Sequence, residues 1–169
     1  MRYKKIFHEF DVLFFSIIVL TSLGFLNNAN ALFHDQGSQQ DGVIDDSNKI
    51  IESLFDRVSI ASNNYQSEIS FLNQSINDNE TMRNTTQGYI DNLKEIILFA
   101  KKTTVQQDYK PVLNNYIDSI ENEIESYVHY KEYIITGNLT ENKISMDLLS
   151  KAFNYETQAI KLYKQLELQ

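Results

Sequence analysis

From residue 47 to residue 166 the apolar residues recur at steps of three and four with hardly a break. That is the period of an α-helix burying one face; a half-buried strand alternates by two. One Pro and five Gly are too few for the turns of a β-sandwich or barrel. The chain is therefore expected to be all-α, with long helices and few connections.

Four seams can be followed. The first spans about 47–76 through Ile51, Leu54, Phe55, Val58, Ala61, Tyr65, Ile69, Leu72 and Ile76. Asn77-Asp78-Asn79 is turn chemistry and offers a cap for the next helix. The second spans about 80–107 through Met82, Tyr89, Ile90, Leu93, Ile96, Ile97, Ala100 and Val105, weakened early by Gly88. Asp108 and Pro111 mark a third start, since Pro is tolerated in a first turn. Its seam is Leu113, Tyr116, Ile117, Ile120, Ile124, Tyr127, Val128, Ile134 and Ile135, closed by Gly137. Thr140 is placed to cap a fourth helix, with Ile144, Leu148, Leu149, Ala152, Phe153, Ala159, Ile160, Tyr163 and Leu166 as its seam. Matched lengths and short connections predict an antiparallel up-down-up-down bundle over 46–169. Paired coiled-coil hairpins from two chains are the rival, because seam spacing cannot separate the two.

The first 31 residues have a different character. Arg2, Lys4 and Lys5 precede an apolar run from Val12 to Leu26, and Ala29-Asn30-Ala31 follows. Basic start, apolar middle and small-x-small end are the parts of an export signal cleaved after Ala31. The run falls short of the ~20 residues that cross a bilayer comfortably, although an uncleaved anchor holding residues 10–26 near the membrane is the alternative. Either reading leaves everything after Leu32 outside the cytoplasm. Residues 32–45 are polar and aperiodic, as in a flexible leader.

The whole chain has 15 Lys and Arg against 23 Asp and Glu. Without residues 1–31 the counts become 12 and 21, a net −9, since three basic and two acidic side chains go. No basic stripe appears, so nucleic acid is not an expected partner. Without Cys there is no disulfide, thiolate metal site or lipidated thiol.

Catalytic signals are absent. Carboxylate-bridged dimetal bundles need two Glu-x-x-His pairs, whereas His129 stands alone with Glu125 four residues upstream. Met146 at a similar height does not complete a site. No nucleophile motif or phosphate-binding glycine loop is present. Neither enzyme activity nor a cofactor is expected.

Two charges interrupt the seams, Lys131 in the third and Glu156 in the fourth. Such residues are usually paired and set register, and counting levels puts Arg57 beside Glu156 and Glu68 beside Lys131. A buried carboxylate awaiting a cationic ligand is the functional alternative. Ile60, Phe71, Leu98 and Phe99 fall on outer faces, as do His129 and Tyr133, and together they form a candidate partner surface. Asn73, Asn79, Asn84 and Asn138 each head an N-x-[ST] triplet, an acceptor pattern for sugar in an exported chain. All four fall at or near the two turns that share one pole of such a bundle.

The sequence therefore points to an exported, non-enzymatic bundle acting as an interaction or structural module at the cell envelope, with a protein partner or self-association. The alternative is an extracytoplasmic ligand-binding bundle. In helix number and length alone, with no shared motif, the chain resembles the periplasmic helical sensor modules of chemoreceptors.

Overall fold

The computed structural model describes residues 46–74 and 79–168. The signal or anchor segment, the leader and the turn at Asn77-Asp78 lie outside the described residues. Four helices make up the fold: α1 (Asp46–Gln74), α2 (Asn79–Lys102), α3 (Lys110–Thr136) and α4 (Leu139–Glu167). A short 3-10 turn, Gln107–Tyr109, leads into α3. At 24 to 29 residues the helices are about 36–44 Å long.

Neighbouring helices run antiparallel. Between α1 and α2, Tyr65 meets Thr86 while Ser47 meets Gln106. Between α2 and α3, Met82 meets Tyr130 and Tyr89 meets Glu123. Helices α3 and α4 join Ser119 to Ala152 and Ser126 to Ser145, and Tyr163 of α4 returns to Glu52 of α1. Across the diagonal, Phe55 packs on Tyr116 and Tyr65 on Tyr127. Both residue numbers rise together there, so α1 and α3 are parallel. This is the expected up-down-up-down order.

The ends follow from local chemistry. Helix α2 stops at Lys102, earlier than its seam suggests. The Thr103 hydroxyl donates to the Phe99 carbonyl at 2.9 Å, and residues 103–106 run as a non-helical connector that still buries Val105. Pro111 occupies the first turn of α3. Gly137 ends α3 in the left-handed region at φ 67°, its N–H bonded to the Tyr133 carbonyl at 2.8 Å. The cap of α4 is Asn138, not Thr140: Asn138 Oδ1 accepts from the Thr140 N–H at 3.0 Å. Asn138 keeps an extended backbone at φ −73°, ψ 110°, which frees its side chain to turn back, whereas Thr140 is already inside the helix.

The seam of α1 is buried from Ile51 to Ile69 with Leu72 half-buried and Ile76 outside the described residues, and the seam expected for α2 is buried from Met82 to Val105. In α3, Leu113, Tyr116, Ile120, Tyr127 and Ile134 of the expected seam are buried, and in α4 so are Leu149, Ala152, Ala159 and Tyr163, but each buried face extends beyond its expected seam. In α3 it also takes in Val112, Ser119, Ser126, Tyr130 and Tyr133, while Val128 and Ile135 are 39% and 53% exposed. In α4 it also takes in Asn142 and Ser145, while Phe153 is 43% exposed. Small residues line the α3–α4 contact, and their backbones approach closely enough for Ser119 and Ser126 hydroxyls to reach carbonyls of the other helix at 2.8 Å. Close packing at these serines leaves little room for larger side chains, and Val128, Ile135 and Phe153 lie outside the contact.

Candidate functional site

The buried lines of α3 and α4 continue through two acidic residues. The three-and-four spacing of 112, 116, 119, 126, 130 and 133 passes through Glu123, and that of 145, 149, 152, 159 and 163 passes through Glu156. Both side chains are half-buried. Side chains on a helix lean towards its N-terminus, so on antiparallel helices these two lean towards each other, to the level where Ser119 bonds Ala152.

A cluster of tyrosines reaches this level through Tyr89. Tyr65 and Tyr89 stack with centroids 4.6 Å apart and planes 10° apart. Tyr127 meets both edge-on, at 5.2 and 5.0 Å. Such rings bury large area while their hydroxyls still seek partners. The Tyr89 hydroxyl donates to Glu123 Oε1 at 2.7 Å. The Thr86 proton goes to the Met82 carbonyl at 2.8 Å, so Tyr65 supplies the proton of the 3.1 Å contact with Thr86 Oγ1. Tyr116 packs edge-on against Phe55.

Burial pushes the Glu123 carboxyl up to about 7; the Tyr89 hydrogen bond opposes the shift and the charge of Glu156 adds to it. Burial alone pushes Glu156 up to about 7. Burial also raises the Tyr116 phenol, and the carboxylates of Glu156, Glu123 and Asp56 raise it further. Among the described residues neither glutamate has an ion-pair partner. Two carboxyls poised near neutrality, beside phenols and lacking a cation, can share protons or receive a cationic group.

The pairings expected for the seam charges are not formed. Arg57 lies over the Phe99 ring at 4.5 Å, with Nε 3.5 Å from Ser53 Oγ. Lys131 donates to Gln87 Oε1 at 2.6 Å instead of meeting Glu68. Counting levels gives height along the bundle but not direction around it. Arg57 and Lys131 both turn towards α2, away from the carboxylates assigned to them. Glu123 is the residue that reading apolar positions alone missed; following the small serines through α3 would have reached it.

The expected outer surface also changes. Tyr133 is buried, only 4% exposed, beside Tyr130, because the buried arc of α3 is wider than the apolar seam and includes it. Half-buried His129 meets Glu141 of α4, with Nδ1 and Oε2 sharing a hydrogen bond of 2.6 Å. Phe99 is covered on one face by Arg57. Ile60, Phe71 and Leu98 remain 60%, 76% and 57% exposed. Asn79, Asn84 and Asn138 are exposed, and the Asn73 side chain lies outside the described residues. No group of three or more His, Asp or Glu placed to hold a metal occurs among the described residues. The chain matches no family model, no curated protein and no solved structure.

Proposed function

We propose that the protein is an exported, non-enzymatic helical module that acts through protein contacts at the cell envelope. The observation that carries this reading is the outer face of α1 and α2, where Ile60, Phe71 and Leu98 keep most of their surface in water. Ile60 and Phe71 are eleven residues apart on one face of α1, about 16 Å at the helical rise. Large apolar side chains held out on a rigid helix are anchors for a partner or for a second copy. The basic, apolar and small-residue segments before residue 32 support an extracytoplasmic setting.

The test compares tagged wild-type protein with Phe71→Glu and Ile60→Glu, using cross-linking in native envelopes and sedimentation of the purified chain. A specific cross-linked species or dimer that both substitutions abolish supports the contact surface. Identical cross-links and sedimentation for all three proteins would remove it.

The uncompensated pair Glu123 and Glu156 supports a second reading, a bundle that binds a small organic cation among its tyrosines. Thermal shift and calorimetry with simple amines test it. Binding lost in Glu156→Gln would favour this reading over the first.

A further inference from the structure

The four N-x-[ST] triplets are equivalent in sequence but not in the fold. An acceptor triplet is read as a unit: the asparagine amide is the nucleophile, and the hydroxyl two residues on must be available to the transferase. Asn84 is exposed on α2, but its partner Thr86 is fully buried. The Thr86 hydroxyl donates to the Met82 carbonyl at 2.8 Å and meets the Tyr65 hydroxyl at 3.1 Å, so it is withdrawn into the core. Asn79 is the first residue of α2, and its triplet continues as helix through Thr81. Ser75, which completes the Asn73 triplet, lies outside the described residues.

Asn138 differs in its own backbone, which is outside the helix, and in the exposure of all three triplet residues. It sits in the connection between α3 and α4 with extended backbone, and Asn138, Leu139 and Thr140 are all exposed. Its Oδ1 is engaged as the α4 cap, accepting from the Thr140 N–H at 3.0 Å. A glycosidic bond forms at Nδ2, so modification leaves the cap intact.

We propose that Asn138 is an N-glycan acceptor of the folded bundle and that Asn84 is closed to modification once the core has formed. This rests on the reading of the chain as exported. In the reaction, Nδ2 attacks the anomeric carbon of a polyprenyl-diphosphate-linked oligosaccharide. The bond from that carbon to the phosphate oxygen breaks, the lipid diphosphate leaves with the electron pair, and one Nδ2 proton passes to base. Nothing is oxidised or reduced.

The test incubates purified, folded full-length chain with a single-subunit oligosaccharyltransferase and lipid-linked donor, and maps glycopeptides by mass spectrometry. A peptide covering residues 80–90 serves as the unfolded control for Asn84. Modification at Asn138 is expected to exceed that at Asn84 by at least about tenfold in the folded chain, because Asn84 must wait for local opening of α2. The isolated peptide should be modified. Thr140→Ala should abolish the Asn138 product while keeping helical content, since the cap uses the backbone N–H of residue 140. An unmodified Asn138, or Asn84 modified as fast as Asn138 in folded protein, overturns the proposal. Fractionation of the source cells reports export separately. Retention in the cytosol overturns the export reading and the use of the site with it, whereas exported chain bare at Asn138 overturns the site alone.

Discussion

Ser126 of α3 and Ser145 of α4 are joined twice: Ser126 Oγ donates to the Ser145 carbonyl at 2.8 Å, and the two hydroxyls lie 3.1 Å apart. One turn pair away, Ser119 donates to the Ala152 carbonyl at 2.8 Å. In each pair the residue numbers add to 271, so one register holds along this contact. Enlarging a residue here should be worse than removing its hydroxyl. Ser126→Leu should destabilise by ~1–3 kcal/mol through overpacking, and Ser126→Ala by about 1 kcal/mol through the lost hydrogen bond. Urea unfolding should rank them in that order, and equal midpoints for Leu and wild type would refute the close approach.

Glu123 and Glu156 make stability depend on pH with a definite sign. Their folded values near 7 exceed the ordinary 4.5, so between those values the folded chain holds protons that the unfolded chain has released. Stability from this source is full below pH 4.5 and is lost as pH rises through about 7. Glu156→Gln should flatten the decline and raise stability at pH 8 by ~1–2 kcal/mol, a range reduced for partial exposure. Unfolding curves from pH 5 to 8.5 test this, and parallel profiles for variant and wild type would contradict it.

The two described glycines should respond to alanine with opposite signs. Neither has an atom within 4 Å of where a Cβ would stand, so backbone preference alone decides. Gly88 lies inside α2, and Gly88→Ala should stabilise by roughly 0.5–1 kcal/mol. Gly137 sits at φ 67°, and Gly137→Ala should destabilise by about 1 kcal/mol. Melting temperatures that move in the same direction would show that one of these backbones is misassigned.

Tyr65 and Thr86 should be energetically coupled through their buried contact of 3.1 Å. Tyr65→Phe and Thr86→Val should each cost about 1 kcal/mol. The double variant should cost less than the sum by ~0.5–1 kcal/mol. Simple additivity in a double-mutant cycle would mean that the hydroxyls do not interact.

Much of the fold was legible along the chain because helix signals are local. Pro111 and Gly137 marked real boundaries, and Ile51, Leu54, Leu93 and Ile97 lay on their buried faces as the period required. Where reading went astray, the deciding partner was on another helix. Tyr133 looked outward only while the α3 seam was drawn through Ile124, Val128 and Ile135. Glu156 was visible as an interruption, but Arg57, assigned as its partner, instead covers Phe99.

Residue order alone specifies four amphipathic helices, their order and their alternating direction, since period, caps and connection length are properties of neighbouring residues. Packing between helices decided the direction in which each turns its face. The narrow α3–α4 gap admits Ser119, Ser126, Ser145 and Ala152, and Val128, Ile135 and Phe153 lie outside it. The same packing sets Glu123 and Glu156 beside tyrosines with no ion-pair partner among the described residues. Interaxial distance depends on side-chain volumes from two helices at once, so it has no signature in the spacing of either one.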